Sequence, residues 1–140
     1  MQREVVVVSG VRTAIGDFGG SLKDFAPTDL GARVVREALS RVNVAGDEVG
    51  HVVFGNVIHT EPRDMYLARV AALDGGVSQH APALNRLCSS GLQAIMSASQ
   101  AILLGDADVA IGGGAESMSR APYVMPAARS TIRSTESVWA

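Results

Sequence analysis

The 140-residue sequence contains a single cysteine, Cys88. One cysteine excludes an intramolecular disulfide, a Cys-x-x-Cys redox pair and a cysteine-rich zinc site. No cluster of His, Cys, Asp and Glu has metal-ligand spacing, so we expect no metal. A basic excess is also missing, since 12 Lys and Arg stand against 14 Asp and Glu, a formal net charge of −2. This balance argues against a nucleic-acid partner, which requires a basic surface.

Long apolar runs are absent as well. The longest, such as residues 5–8 and 101–104, are far shorter than the roughly 20 residues that span a bilayer, so we expect no membrane partner. The N-terminus shows no signal-peptide core. Apolar residues nevertheless make up 47% of the chain, which is too hydrophobic for a disordered protein. We therefore expect a soluble, cytoplasmic protein.

Strand and helix patterns alternate along the chain. Residues 4–10, 51–55 and 108–114 are short apolar runs that end in glycine, as buried strands of a parallel sheet do, and residues 82–85 form a very short extended segment. Apolar residues recur at helical spacing after Thr28, the expected N-cap, and after Pro62, and residues 89–104 are apolar on most faces. The order predicts an α/β fold with a mostly parallel sheet.

The C-terminal end differs from the rest of the sequence. Five of the eleven residues in 130–140 are Ser or Thr, and no strand or helix period continues there. We expect one domain over residues 1–129, followed by an atypical tail over residues 130–140.

Cys88 is placed between the short extended segment and the apolar helix. Unsatisfied backbone N–H groups at a helix N-terminus favour a thiolate over a thiol, and the small residues that follow, Ser89, Ser90 and Gly91, leave a substrate room to approach. This is the arrangement of a nucleophile on a tight strand-to-helix turn. A lone cysteine is also commonly a small buried apolar residue, and the position alone leaves both interpretations open.

A family resemblance favours the first interpretation. Residues 85–95, Asn-Arg-Leu-Cys-Ser-Ser-Gly-Leu-Gln-Ala-Ile, resemble the active-site signature of thiolases, the acyl-CoA:acetyl-CoA acyltransferases. Residues 11–20, 53–57 and 112–119 resemble further thiolase motifs in the same order. The resemblance is strongest to bacterial acetyl-CoA acetyltransferases and β-ketothiolases, and it favours thiolases over the related ketoacyl synthases.

The resemblance implies a fold, a reaction and partners. The fold would be the N-terminal part of a layered αβαβα body, with the helix after the cysteine buried between two sheets. Cys88 would attack an acyl-CoA or 3-ketoacyl-CoA carbonyl and become an acyl-thioester, and a Claisen condensation or thiolysis with CoA would follow. The substrates would be CoA thioesters with no further cofactor, and the complete enzyme would be a homo-oligomer.

Several family features are missing from these 140 residues. Thiolases carry a catalytic histidine in a Gly-His-Pro motif, a second cysteine in Cys-x-Gly-Gly, and an Asn-Glu motif; none is present here. His51, His59 and His80 match no catalytic position, so we expect ordinary surface or packing roles for them. Two residues are also absent between Leu84 and Asn85 relative to the family pattern, which shortens the strand that leads to the nucleophile by about 6.6 Å.

Other polar residues allow two interpretations. Glu116 is either a catalytic carboxylate or a capping carboxylate that stabilises its loop, and we favour the latter. Residues 112–114 lack the lysine and hydroxyl of a phosphate loop, so close backbone packing is expected. Arg12, Arg63 and Arg69 could contact CoA phosphates or be solvated, and no residue is assigned to cofactor binding.

The missing second half has an energetic consequence. One apolar side of residues 92–104 would face water, and a few hundred exposed Å² at about 25 cal/mol per Å² forfeits several kcal/mol. We expect the isolated chain to be marginally stable, oligomeric or aggregation-prone. An alternative function is therefore that of an inactive thiolase remnant that acts at most as an association module.

Overall fold

A three-stranded parallel sheet lies at the centre of the structure, a computed structural model that describes residues 3–127. The elements in chain order are α1 (Pro27–Val42), β1 (His51–Gly55), α2 (Leu67–Gly75), β2 (Ala83–Leu84), α3 (Ser90–Leu104) and β3 (Ala110–Gly114), with 3₁₀ turns at Pro62–Tyr66 and Met118–Arg120. The sheet order is β2–β1–β3, and both pairings are parallel. The predicted α/β class is confirmed.

The central strand, β1, separates two packing faces. Successive side chains of a strand point to opposite faces, and accordingly Val52 and Phe54 pack with α1 and α2, whereas Val53 packs with α3. The α1/α2 side holds a cluster of ten buried apolar residues: Val35, Leu39, Val49, Val52, Phe54, Leu67, Ala68, Ala71, Ala72 and Val77. The cluster on the α3 side holds three: Val53, Ala94 and Ala98.

α1 begins one residue before the predicted cap. Ala26 is the N-cap and Pro27 the first helical residue, a position that suits proline because its missing N–H needs no partner there. The prediction of Thr28 as N-cap is therefore wrong, since Thr28 lies inside the first turn, fully buried. Asp29 occupies the first turn as expected, where a carboxylate meets the positive end of the helix dipole.

α3 is apolar on both of its long faces. Ala94 and Ala98 are buried against the sheet, whereas Leu92 and Leu104 are 64% and 79% exposed. The expectation that one apolar side faces water is confirmed. By length and composition alone, the segment Leu87–Leu104 is long and apolar enough to cross a membrane. α3 itself has 15 residues and rises about 22 Å, less than the roughly 30 Å of a hydrocarbon core.

The predicted strand over residues 4–10 is wrong in this structure. Those residues form no strand, and Val6, Val7 and Val8 are 65%, 84% and 67% exposed. A strand requires a hydrogen-bonded neighbour, and residues 4–10 pair with neither of the edge strands, β2 and β3. Instead, Arg3 forms an ion pair with Asp108 at 2.7 Å, and residues 8–18 line a groove against α1 and β3. The predicted tail, residues 130–140, lies outside the described residues.

Candidate active site

Cys88 lies in the turn between β2 and α3, two residues before the first helical residue, Ser90. The sequence predicted this position. The residue is exposed and its sulfur is free, so the interpretation of Cys88 as a buried packing residue is wrong. β2 contains only two residues, in agreement with the expected short strand, and the turn of residues 85–89 still delivers Cys88 to the start of the helix.

The residue before Cys88 has an uncommon backbone conformation. Leu87 has a φ of 51°, in the left-handed region that a residue with a β-carbon rarely adopts. Two side chains hold it there. Asn85 Oδ1 accepts a hydrogen bond from Leu87 N at 2.9 Å, and Ser90 Oγ donates to Leu87 O at 2.6 Å while accepting from Arg86 N at 2.8 Å. The turn is thus fixed on both sides of Leu87.

Two glycines let α3 lie directly on the sheet. A β-carbon at Gly55 would be 2.6 Å from Ser90 Cβ, and one at Gly112 would be 2.6 Å from Ile95 Cα. Because both neighbours belong to the helix, any larger residue would push α3 away from β1 and β3. The expected role of residues 112–114 in close packing is confirmed, and this packing fixes the position of the helix end next to Cys88.

Glu116 connects the ends of two strands. Its Oε1 accepts from Asn56 Nδ2 and Ile58 N, and its Oε2 accepts from Val57 N, each at 3.0 Å. Both carboxylate oxygens are therefore used in holding the loop after β1. The capping interpretation of Glu116 is confirmed, although the groups that it caps lie almost sixty positions away in sequence.

Asn56 and Asn85 are site residues that the sequence analysis missed. Asn56, Asn85 and Glu116 follow the carboxyl ends of β1, β2 and β3, which meet at one edge of a parallel sheet. Ligands of open α/β sheets bind at this edge. The signal that could have found them was the position of Asn56 directly after a predicted strand and of Asn85 at the end of the predicted extended segment.

The remaining candidates contribute little to this site. His59 and His80 are exposed, and His51 is half-buried at the start of β1. Arg63 pairs with Asp74 at 3.1 Å, and Arg69 Nη1 donates to the carbonyls of residues 78 and 79. These two guanidinium groups are thus bound by the protein itself.

Among the described residues, the Cys88 sulfur is accessible and no basic side chain contacts it. Over residues 3–127, no side chain hydrogen-bonds Cys88 Sγ. In the same range no group of three or more His, Cys, Asp or Glu could hold a metal ion. The arrangement can present a thiol or thiolate to an incoming carbonyl, and a proton acceptor would have to come from elsewhere.

Comparison with known proteins identifies the family. Residues 5–139 match the family model described as the N-terminal domain of thiolases. The chain belongs to the thiolase family. It is 79% identical over 131 residues to a beta-ketothiolase of Cupriavidus necator, covering 92% of this chain and 33% of that protein. It is 43% identical over 132 residues to an acetyl-CoA acetyltransferase of the same organism, covering 93% of this chain and 33% of that protein.

Solved thiolase structures agree with the fold. The acetyl-CoA acetyltransferase of Bacillus anthracis superposes with a TM-score of 0.82 at 41% identity, covering 89% of this chain and 32% of that one. Human mitochondrial 3-ketoacyl-CoA thiolase in complex with CoA gives a TM-score of 0.77 at 40% identity, covering 81% and 29%. The chain therefore spans about a third of the length of the thiolases it matches.

Proposed function

We propose that this chain carries the acyl-accepting part of a thiolase active site, with Cys88 as the nucleophile. The Cys88 thiolate attacks the thioester carbonyl of an acyl-CoA and displaces CoA as a thiolate, or it attacks the 3-keto carbonyl of a 3-ketoacyl-CoA and breaks the Cα–Cβ bond, so that acetyl-CoA leaves once its enolate is protonated. In both cases the acyl group becomes a thioester on Sγ. A second acetyl-CoA then accepts the acyl group in a Claisen condensation, or free CoA accepts it in thiolysis. Exchange of one thioester for another changes the ground-state energy little, and a thiolate is both a good nucleophile and a good leaving group.

The exposure of Cys88 on a fixed turn carries this proposal. The sulfur lies at the carboxyl edge of the sheet, and the hydrogen bonds of Asn85 and Ser90 hold the turn around it. A nucleophile in a held turn needs little reorganisation before attack. The turn is placed by the close packing of α3 on Gly55 and Gly112.

The proposed substrates follow from the same chemistry. CoA thioesters are the proposed substrates, in agreement with the names of the related acetyl-CoA acetyltransferases and with the CoA complex of the human enzyme. No resident cofactor is needed, because the sulfur itself carries the acyl group. We place the protein in the cytoplasm, and we propose that the complete enzyme is a homo-oligomer.

A chimera tests the role of Cys88. The 131 residues that match the Cupriavidus necator beta-ketothiolase replace the corresponding part of that enzyme, and thiolysis of acetoacetyl-CoA is measured. We expect turnover in the chimera and a loss of at least about a thousandfold in kcat for Cys88→Ser, since loss of a covalent nucleophile has very large effects. Ser99→Ala, on the outer face of the same helix, is the matched control. A Cys88→Ser chimera as active as its parent would contradict the proposal.

The isolated 140-residue chain is expected to behave differently. Because no base contacts Cys88 within residues 3–127, acylation by acetoacetyl-CoA should be slow or absent and turnover should be absent. Mass spectrometry of the peptide containing Cys88 measures the adduct, and CoA release measures turnover. Robust turnover by the purified chain alone would contradict the need for residues beyond this segment.

The exposed face of α3 supports association as a second candidate function. Leu92, Ile95, Met96, Leu103 and Leu104 are each more than 40% exposed, and contiguous apolar surface of this kind marks an interaction site. In this alternative the chain pairs through α3 without catalysis. Two results together would favour this second function over acyl transfer: self-association of the chain, and a chimera that shows no thiolase activity.

A further inference from the structure

We propose that Glu116 is a positioning residue for Cys88, acting through the loop of residues 56–58 and the side chain of Asn85. This inference rests on the proposed role of Cys88 as nucleophile. In this proposal the Glu116 carboxylate, which follows β3, controls the backbone conformation of the residue before Cys88, in the turn after β2. The connection consists of hydrogen bonds that cross the carboxyl edge of the whole sheet.

The first link joins Glu116 to the loop after β1. Three donors, Asn56 Nδ2, Val57 N and Ile58 N, share the two carboxylate oxygens at 3.0 Å each. Asn56 is 2% exposed, and its side chain also donates to Ala115 O at 3.0 Å. Hydrogen bonds to an ionised acceptor are stronger than neutral ones. The carboxylate therefore fixes the direction of three successive residues.

The second link runs from this loop to the turn before Cys88. Asn85 Nδ2 donates to Val57 O at 3.4 Å, and Asn85 Oδ1 accepts from Leu87 N at 2.9 Å. One planar amide therefore contacts the residue that Glu116 holds and the residue with left-handed backbone. Moving Val57 displaces the Asn85 amide, and this displacement releases the Leu87 N–H. The contact at 3.4 Å is the longest in the path, so the coupling is most easily interrupted there.

The first link uses both carboxylate oxygens of Glu116. Each of them accepts hydrogen bonds from the loop after β1. Its contribution to Cys88 is therefore geometric. A purely local role, in which Glu116 holds only its own loop, makes a different prediction for the turn at Leu87.

Isosteric variants separate these two roles. Glu116→Gln replaces one acceptor oxygen by an N–H₂ group that faces a donor. Asn85→Asp keeps the Oδ1 acceptor for Leu87 but replaces the Nδ2 donor to Val57 by an acceptor, so it interrupts only the second link. Glu48→Gln is the matched control, because Glu48 Oε2 also accepts a backbone N–H, from Ala45 at 2.9 Å, in the loop between α1 and β1.

The experiment uses the full 140-residue chain and two readouts. Hydrogen exchange by NMR reports the Leu87 amide, and the second-order rate of iodoacetamide alkylation at Cys88 is compared between folded and urea-unfolded chain. We expect Glu116→Gln and Asn85→Asp each to speed exchange of the Leu87 amide at least about fivefold. Each should also move the ratio of the folded to the unfolded alkylation rate toward one. The effect of the double variant should be no larger than the greater of the two single effects. Glu48→Gln should match the wild type.

Several results would overturn the inference. These are wild-type exchange and alkylation in a folded Glu116→Gln chain, wild-type behaviour of Asn85→Asp, or additive effects in the double variant. If Glu116→Gln fails to fold, Glu116→Asp replaces it, because this variant keeps the carboxylate but shortens the side chain by one methylene and so withdraws it from the three donors; Asn85→Asp then tests the second link. Neither readout involves acyl transfer. A wrong assignment of Cys88 as the nucleophile would therefore appear in the chimera kinetics, whereas the absence of coupling between Glu116 and the turn before Cys88 would appear in the exchange and alkylation rates.

Discussion

The two faces of the sheet differ in how completely they are covered. Between β1 and the α1/α2 pair, ten apolar residues are buried together, including Phe54 at 1% and Leu67 at 0% exposure. On the opposite face, α3 buries three residues with the sheet and turns a second apolar surface outward. The first face is a closed core, and the second is one half of a core. The site of Cys88 lies at the end of the half-covered layer.

This difference explains how the chain can hold its site although we expect it to be only marginally stable. The α1/α2 side supplies the packing that orders β1, and the α3 side depends on close contact between glycines and the helix. Hydrophobic burial scales with the area removed from water, so the exposed α3 surface contributes little until it is covered. The variants below test this contrast, from the largest expected effect to the smallest.

Truncation of a buried side chain in the closed core should cause the largest loss in the free energy of unfolding. Phe54→Ala removes a buried ring that packs between α1 and β3, and we expect a loss of about 3–5 kcal/mol in the free energy of unfolding. Urea unfolding followed by circular dichroism measures it. Leu92→Ala on the open face is the paired control, expected within about 0.5 kcal/mol. Equal losses for the two variants would contradict the contrast between the faces.

A substitution that pushes α3 away from the sheet should cause the second largest loss in the free energy of unfolding. In Gly112→Ala the new β-carbon would be 2.6 Å from the backbone of Ile95, so we expect a destabilisation of about 1–3 kcal/mol from overpacking. The control is Gly91→Ala in the first turn of α3, where a β-carbon meets nothing within 4 Å. Alanine should stabilise a helix there by up to about 1 kcal/mol. Opposite signs for the two variants are the expected urea result, and a neutral Gly112→Ala would be inconsistent with the packing.

The open face should control self-association. We expect the wild-type chain to form oligomers or aggregates, and Met96→Lys to weaken association about tenfold, a change of about 1.4 kcal/mol. Analytical ultracentrifugation over a concentration series measures the shift, with Lys23→Met as a control away from α3. A monomeric wild-type chain with a cooperative thermal transition well above growth temperatures would contradict both this expectation and the predicted marginal stability.

A surface ion pair on the closed side should matter least. Arg41 Nε and Glu37 Oε1 are 2.9 Å apart on α1, with both side chains more than half exposed. Exposed pairs at this spacing contribute about 0.3–0.5 kcal/mol, so Glu37→Gln should change the urea midpoint only slightly and the change should vanish at high salt. A larger effect that persists in salt would show that the closed side depends on charge as well as on packing.

Local features of the fold were predictable from the sequence, and long-range ones were not. The helices were found because apolar spacing and glycine ends are encoded within a few residues, as at Gly76 and Gly105, which end α2 and α3 in left-handed conformation. Residues 4–10 have the composition of a buried strand, but strand formation depends on partners elsewhere in the chain. Composition alone cannot provide them.

The candidate site shows the same division. The place of Cys88 before α3 followed from the order of a short strand, a turn and a helix. The capping role of Glu116 was the favoured interpretation, yet its partners Asn56, Val57 and Ile58 could not be named, because spacing along a chain does not reveal contacts across a sheet. The double contact of Asn85 required the register of β1 and β2.

Direct mapping of the acyl group tests the central claim about Cys88. The chimera with the Cupriavidus necator enzyme is quenched with acid during turnover of acetyl-CoA, digested, and analysed by mass spectrometry. We predict an acetyl group on the peptide containing Cys88, lost when free CoA is added before quenching. Steady turnover with no acyl group on Cys88, or with the acyl group on another residue, would contradict it.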